Sequence, residues 1–137
     1  MKLSPYLNFN GNCRAAFLYY EKHLGGKIQM MMTHGDGPPN PNMPADWGTA
    51  ILHAQIQFGD TILMASDVPP DRQQPIRSAY LHLELEGIEE AERAFGAVID
   101  GGEAIMPMAE TFWAPRFGLA RDAFGVLWMI SAAPAKP

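Results

Sequence analysis

The sequence repeats one pattern of helix and turn signals, and this repeat is the strongest constraint on the fold. The glycines and alanine of the first half recur 76 positions later, since Gly11, Ala15 and the pair at 25–26 match Gly87, Ala91 and the pair at 101–102. A hairpin signal also recurs, with Phe58-Gly59, Met64 and Ser66 matching Phe124-Gly125, Met129 and Ser131. Two half-units that each expose an apolar sheet face would bury it by pairing. Chance likeness of turn signals is the alternative.

The first half is predicted to form a strand, a helix and three further strands. The helix spans 13–24, because Ala16, Phe17, Tyr20 and Leu24 recur at one-turn spacing before a glycine pair that ends it. The predicted strands are 3–9, 28–33, 49–58 and 61–66. Residues 34–48 are predicted to be a loop and 67–77 a proline-rich linker.

The second half is predicted to repeat this order. Its strands are 80–85, 103–108, 116–121 and 126–131, around a helix that begins after Gly87 and ends before the glycines at 101–102. The expected fold class is α+β, a single domain over 1–137. It comprises module one at 1–66, the linker 67–77, module two at 78–132 and a tail at 133–137. The two βαβββ modules would form an eight-stranded concave mixed sheet with helices outside, and a small ligand would sit in the concavity.

Composition excludes several classes of function. The chain of 137 residues has a net charge of −5 and scattered basic residues, which argues against a nucleic-acid partner. The lone Cys13 excludes an internal disulfide. No apolar run has the length of a signal-peptide core or a membrane span, so the expected location is the cytoplasm with no membrane contact.

Several motifs resemble the vicinal oxygen chelate superfamily, which includes glyoxalase I, extradiol dioxygenases and bleomycin- and fosfomycin-resistance proteins. They are the helix end Phe17-Leu-Tyr-Tyr20-Glu-Lys-His-Leu-Gly25 and the strand Ala79-Tyr-Leu-His82. The narrower likeness is to the PhnB-like branch, through Ser4-Pro-Tyr-Leu-Asn-Phe-Asn-Gly-Asn12, Leu52-His-Ala54, Thr111-Phe-Trp113, Arg116-Phe-Gly118 and Asp122-Ala-Phe-Gly-Val-Leu-Trp-Met129. The resemblance implies a glyoxalase-like fold and a homodimer.

The resemblance also implies where a metal would bind, with one ligand on the first strand and one on the last strand of each module. Carried over to this sequence, those positions are Pro5 or Tyr6, Met64, His82 and Met129. A thioether is too soft to replace a carboxylate on the divalent ions that these enzymes use. Because a catalytic site normally needs three protein ligands, the expectation is no metal and no cofactor, with a recruited divalent ion as the alternative.

The candidate catalytic residues are His82 and Glu84, which lie two apart on a strand and therefore share a face. They would act as an acid–base pair if the protein is an enzyme. The alternative is that His82 is a hydrogen-bonded structural histidine and that Glu84 only lines the side of the concavity. A replacement metal site from His53, His82 and Glu84 would require their strands to be adjacent. No catalytic role is expected for Cys13.

The candidate ligand-binding residues are predicted to line the concave side of the sheet. Trp113 and Arg116 could anchor an anionic or planar ligand by stacking and forked hydrogen bonds. The alternative is a loop clamped onto the sheet by aromatic burial. The full set of candidates is Asn8, His53, Met64, His82, Trp113, Arg116 and Met129.

The function expected from the sequence is metal-independent binding of a small molecule. A lyase, isomerase or hydrolase that uses His82 and Glu84 is the alternative, and the sequence leaves open whether any reaction is catalysed. A structural or regulatory partner protein is a third possibility.

Overall fold

The computed structural model describes residues 1–134, and the chain divides into two compact units. The first unit is Met1–Gln74 and the second begins at Pro75, so the division falls inside the predicted linker. Each unit holds one four-stranded sheet and one α-helix. The α+β class and the two βαβββ modules are thereby confirmed.

Module one has its first and last strands side by side. Its elements are β1 (Tyr6–Phe9), α1 (Cys13–His23), β2 (Lys27–Thr33), β3 (Ile51–Phe58) and β4 (Thr61–Asp67). The strand order is β1-β4-β3-β2. The β1–β4 pair is parallel and aligns Tyr6 with Met64, whereas the other neighbours are antiparallel.

Module two repeats this topology. Its elements are β5 (Leu81–Leu85), α2 (Ile88–Ile99), β6 (Glu103–Ala109), β7 (Phe117–Arg121) and β8 (Leu127–Ala132). The strand order is β5-β8-β7-β6. The parallel β5–β8 pair aligns His82 with Met129, so these residues correspond in register to Tyr6 and Met64.

Each helix packs one apolar stripe on its own sheet. Residues of α1 at helical spacing are fully buried, and they are Cys13, Ala16, Phe17 and Tyr20. The matching stripe of α2 is Ala91, Ala94, Phe95 and Val98. Each large side chain buried in this way contributes about 1.5–3 kcal/mol. The helix of each module therefore covers one face of its sheet.

The differences from the predicted boundaries have local causes. β1 begins at Tyr6 rather than at residue 3, although the Pro5 carbonyl already accepts a hydrogen bond from the Met64 amide. The predicted loop 34–48 contains a 3₁₀ turn, His34–Asp36, which Thr33 and Asp36 close by a reciprocal capping box. Asp67, the first residue of the predicted linker, is the last residue of β4.

Two further predictions concern the C-terminal tail and membrane-spanning segments. Of the predicted tail 133–137, residues 135–137 lie outside the described part of the chain. No helix within residues 1–134 is long and apolar enough to cross a membrane.

Candidate functional site

The face of each sheet that turns away from its helix carries most of the candidate residues, and we call it the helix-distal face. Side chains alternate between faces along a strand, so these residues follow from the register. In module one they are Tyr6, Asn8, His53, Gln55, Met64 and Ser66. In module two they are His82, Glu84, Phe117, Leu119, Met129 and Ser131.

Three polar side chains of module one form a hydrogen-bonded cluster across β4. The Tyr6 hydroxyl lies 3.1 Å from Nδ1 of His53, and the two rings stack with centroids 5.7 Å apart. The other ring nitrogen, Nε2, lies 3.1 Å from Nε2 of Gln55. The cluster joins β1 to β3, and His53 is therefore held on both sides. We call it the Tyr6–His53–Gln55 cluster.

A cavity of about 570 Å³ adjoins this cluster. Gln55 and Met64 line it from the sheet, and residues 2–4 line it from the N-terminal segment. Asn8 lies further along the same face, where its Oδ1 accepts a 3.4 Å hydrogen bond from the Ser66 hydroxyl. The predicted residues Asn8, His53 and Met64 thus share one face of module one.

In module two, His82 bonds to the last strand of the sheet. Its Nε2 lies 2.7 Å from the hydroxyl oxygen of Ser131. Glu84 is the cross-strand partner of that same Ser131, and Met129 is the partner of His82. His82 and Glu84 therefore lie on one face of β5, and Met129 lies beside His82 on β8.

Trp113 and Arg116 have different partners. The Trp113 ring packs edge-on against Phe117, with centroids 5.2 Å apart, and it remains half exposed. The Arg116 guanidinium instead forms a 3.2 Å ion pair with Glu92 of α2. Trp113 thus lies beside the helix-distal face, whereas Arg116 is paired with a residue of α2.

Comparison with known proteins agrees with this architecture. The sequence profile of the Glyoxalase/Bleomycin resistance protein/Dioxygenase superfamily matches residues 2–130. The chain belongs to this superfamily. Protein YjdN of Escherichia coli (strain K12) is 35% identical over 145 residues, which cover 100% of this chain and 99% of YjdN.

Two solved structures extend the comparison. Protein PA1353 from Pseudomonas aeruginosa has 43% identity and a TM-score of 0.87, covering 97% of this chain and 98% of that one. The PhnB protein from Bacillus cereus has 22% identity and a TM-score of 0.78 over 97% and 100% of the two chains. That likeness supports the PhnB-like resemblance at the level of the fold.

The metal positions of this superfamily are filled by a donor set that does not fit a divalent ion. The register pairs a phenol with a thioether at Tyr6 and Met64, and an imidazole with a thioether at His82 and Met129. Within residues 1–134 no three His, Cys, Asp or Glu side chains are grouped to hold a metal. His53 lies in the first sheet and His82 in the second, so the strands of the proposed replacement site are not hydrogen-bonded neighbours.

Two residues near the start of α1 are structural. Asp67 is 2% exposed, and its carboxylate accepts hydrogen bonds from the amides of Gly11, Cys13 and Ile51. Burial raises the pKa of the Cys13 thiol to about 12, and the negative charge of Asp67 adds to this effect. Because only the thiolate is a strong nucleophile, Cys13 is unsuited to catalysis at neutral pH.

Sequence reasoning missed two members of the helix-distal clusters. From the sequence, Tyr6 is a candidate only at a metal-ligand position, because its bond to His53 depends on β4 lying between β1 and β3. Ser131 marks only the repeat in the sequence, whereas in the structure it is the hydrogen-bond partner of His82. The repeat is the sequence feature that could have indicated Ser131, because Ser66 and Ser131 occupy corresponding places opposite Asn8 and Glu84.

Proposed function

We propose that this glyoxalase-superfamily protein binds a small organic molecule on its helix-distal sheet faces without a resident divalent metal. The observation that carries the proposal is the pairing of Tyr6 with Met64 and of His82 with Met129 at the former ligand positions. Each pair offers the polarizable apolar surface of a thioether beside one hydrogen-bonding side chain, which suits an organic ligand better than a divalent ion.

The proposed binding residues fall into two groups. Asn8, His53 and Met64 belong to module one, where the cavity of about 570 Å³ is large enough for a small metabolite. His82, Met129 and Trp113 belong to module two, where the half-exposed indole offers a flat surface for stacking. The ion pair with Glu92 occupies the Nε of Arg116, so a ligand would use the remaining guanidinium donors or compete with Glu92.

A thermal-shift screen of small anionic, aromatic and carbonyl metabolites tests the proposal. A ligand present at 100 times its dissociation constant adds about 2.7 kcal/mol to the free energy of unfolding. We expect at least one chemical class to raise the melting temperature. His82→Ala should reduce the shift of a ligand bound in module two, whereas His23→Ala, on α1, should not. If no compound shifts the wild type, the proposal fails.

A second candidate function is favoured by the short contact between His82 and Ser131. The distance of 2.7 Å and the neighbouring Glu84 supply a histidine, a hydroxyl and a carboxylate on one face. Such a set could transfer protons in a lyase, isomerase or hydrolase. His82→Ala would abolish turnover in an enzyme but change affinity only modestly in a binding protein, so assays of both properties separate the two functions.

We further propose that the protein acts as a cytoplasmic homodimer. The support is the resemblance to superfamily members in which modules from two chains complete the cavities. Sedimentation velocity should then give about twice the chain mass of 15.1 kDa. A single species at the monomer mass across micromolar concentrations would contradict the dimer and leave the binding proposal standing.

A further inference from the structure

The hydrogen-bond pattern of the Tyr6–His53–Gln55 cluster determines which atom of Tyr6 carries a free hydrogen. Nε2 of Gln55 is an amide nitrogen and can only donate, so Nε2 of His53 accepts its hydrogen bond. A neutral imidazole whose Nε2 accepts carries its proton on Nδ1. That Nδ1–H therefore donates to the oxygen of Tyr6, 3.1 Å away.

Among the side chains and backbone of residues 1–134, the hydroxyl hydrogen of Tyr6 has no acceptor. The contacts of Tyr6 within residues 1–134 are the hydrogen bond and the ring stacking with His53, and the side chain is 47% exposed. Donation from His53 polarises the phenol and makes it a better donor to another group. The stacked imidazole fixes the direction of that donor.

The neighbouring cavity indicates the chemistry of the acceptor. Gln55 and Met64, which lie in the same cross-strand row as Tyr6, line the cavity together with the apolar Leu3 and Ile62 and the hydroxyl-bearing Ser4 and Thr61. Its two charged lining residues, Lys2 and Asp60, have opposite signs and leave no net charge to select an ion. An uncharged ligand that has an apolar part and one acceptor oxygen matches these surroundings.

We infer that Tyr6, oriented by His53 and Gln55, is the polar anchor of a module-one subsite for neutral carbonyl compounds. The inference rests on the proposed binding function and names the ligand class at one part of that site. The ligand's carbonyl oxygen accepts the Tyr6 hydroxyl hydrogen, and its apolar part packs on Met64 and Ile62.

A matched pair of probes and a matched pair of variants test this anchor. Cyclohexanone and methylenecyclohexane have the same shape, but only the ketone has an acceptor oxygen. In NMR titrations we expect Tyr6→Phe to weaken ketone binding roughly three- to tenfold, the range for one neutral hydrogen bond. The hydrocarbon should bind the wild type and Tyr6→Phe equally. Tyr19→Phe, the same change on α1, should leave both affinities unaltered.

The proton arrangement can be measured without a ligand. Nitrogen-15 spectra of the free protein should show His53 protonated at Nδ1 and unprotonated at Nε2, and the opposite tautomer would overturn the inference. Equal ketone affinity of the wild type and Tyr6→Phe would also overturn it, as would a wild type that binds other compounds but no ketone. Both of these outcomes leave the proposed function standing. A wild type that binds no compound of any class overturns both.

Discussion

Asp67 connects three separate segments of module one through one buried carboxylate. Its Oδ1 accepts from the amides of Gly11 and Cys13 at the start of α1, and its Oδ2 accepts from the amide of Ile51 at the start of β3. The bonds to Cys13 and Ile51 are buried, and leaving a buried donor unpaired costs about 1–3 kcal/mol. Asp67 therefore positions the turn into α1 and the start of β3.

The neighbouring thiol of Cys13 leads to a prediction for the pH dependence of stability. The pKa of Cys13 is raised from 9.0 to about 12 in the folded protein. Below pH 9 the thiol is neutral in both states, but between pH 9 and 12 only the unfolded chain ionises. The free energy of unfolding should therefore fall across this range, by about 1.4 kcal/mol between pH 8 and pH 10.

Urea unfolding of the wild type and of Cys13→Ala checks this prediction. Tyrosine and lysine residues titrate in both proteins, so the contribution of the thiol is the difference between the two pH profiles. Identical profiles would show that the Cys13 thiol ionises as readily in the folded protein as in the unfolded chain.

At the scale of elements, the glycine pairs that mark the repeat have separable roles. Gly25 and Gly101 follow the two helices with φ values of 78° and 75°, in the left-handed region that favours glycine. Gly102 has a different constraint, because a Cβ atom there would overlap the carbonyl oxygen of Arg121 and the backbone of Asp122. Gly101 thus ends α2, and Gly102 then allows β6 to pack closely against the backbone at the end of β7.

A matched pair of alanine substitutions tests the close approach at Gly102. Gly102→Ala should lower the free energy of unfolding by roughly 1–3 kcal/mol, because the backbone atoms that it meets cannot rotate away. Gly96→Ala, in the exposed part of α2 with open space at its Cβ, should raise it by roughly 0.5–1 kcal/mol. Urea titration followed by circular dichroism measures both, and equal effects would contradict this packing.

At the scale of the whole molecule, the two modules share a topology but differ in the chemistry of their helix-distal faces. Both place the first and last strands in a parallel pair at corresponding register. Module one carries the Tyr6–His53–Gln55 cluster, whereas module two carries the His82–Ser131 contact. The repeat therefore preserves the backbone pairing and the Met and Ser of the last strand, whereas their partners on the first strand differ, Tyr6 and Asn8 against His82 and Glu84.

This divergence predicts that stability is independent of added divalent metal. Dialysis against a chelator should leave the melting temperature unchanged, and added Zn²⁺ or Mn²⁺ should not raise it, because the cross-strand partner of His82 is a thioether and not an oxygen donor. Met129→Glu places a carboxylate as the cross-strand partner of His82 and should give a small metal-dependent shift. A shift in the wild type would contradict the proposal that the protein has no resident divalent metal.

The sequence alone determined the βαβββ repeat, the α+β class and the sharing of a face by His82 and Glu84. These follow from periodicity along a strand or helix, which is a local property of the chain. Only the tertiary structure decided that Tyr6 reaches His53 across β4, that Arg116 pairs with Glu92, and that Asp67 is buried rather than part of a linker. Those contacts join residues from different elements. The sequence offers several possible partners for each residue, and only the strand order and the side-chain packing determine which partner it contacts.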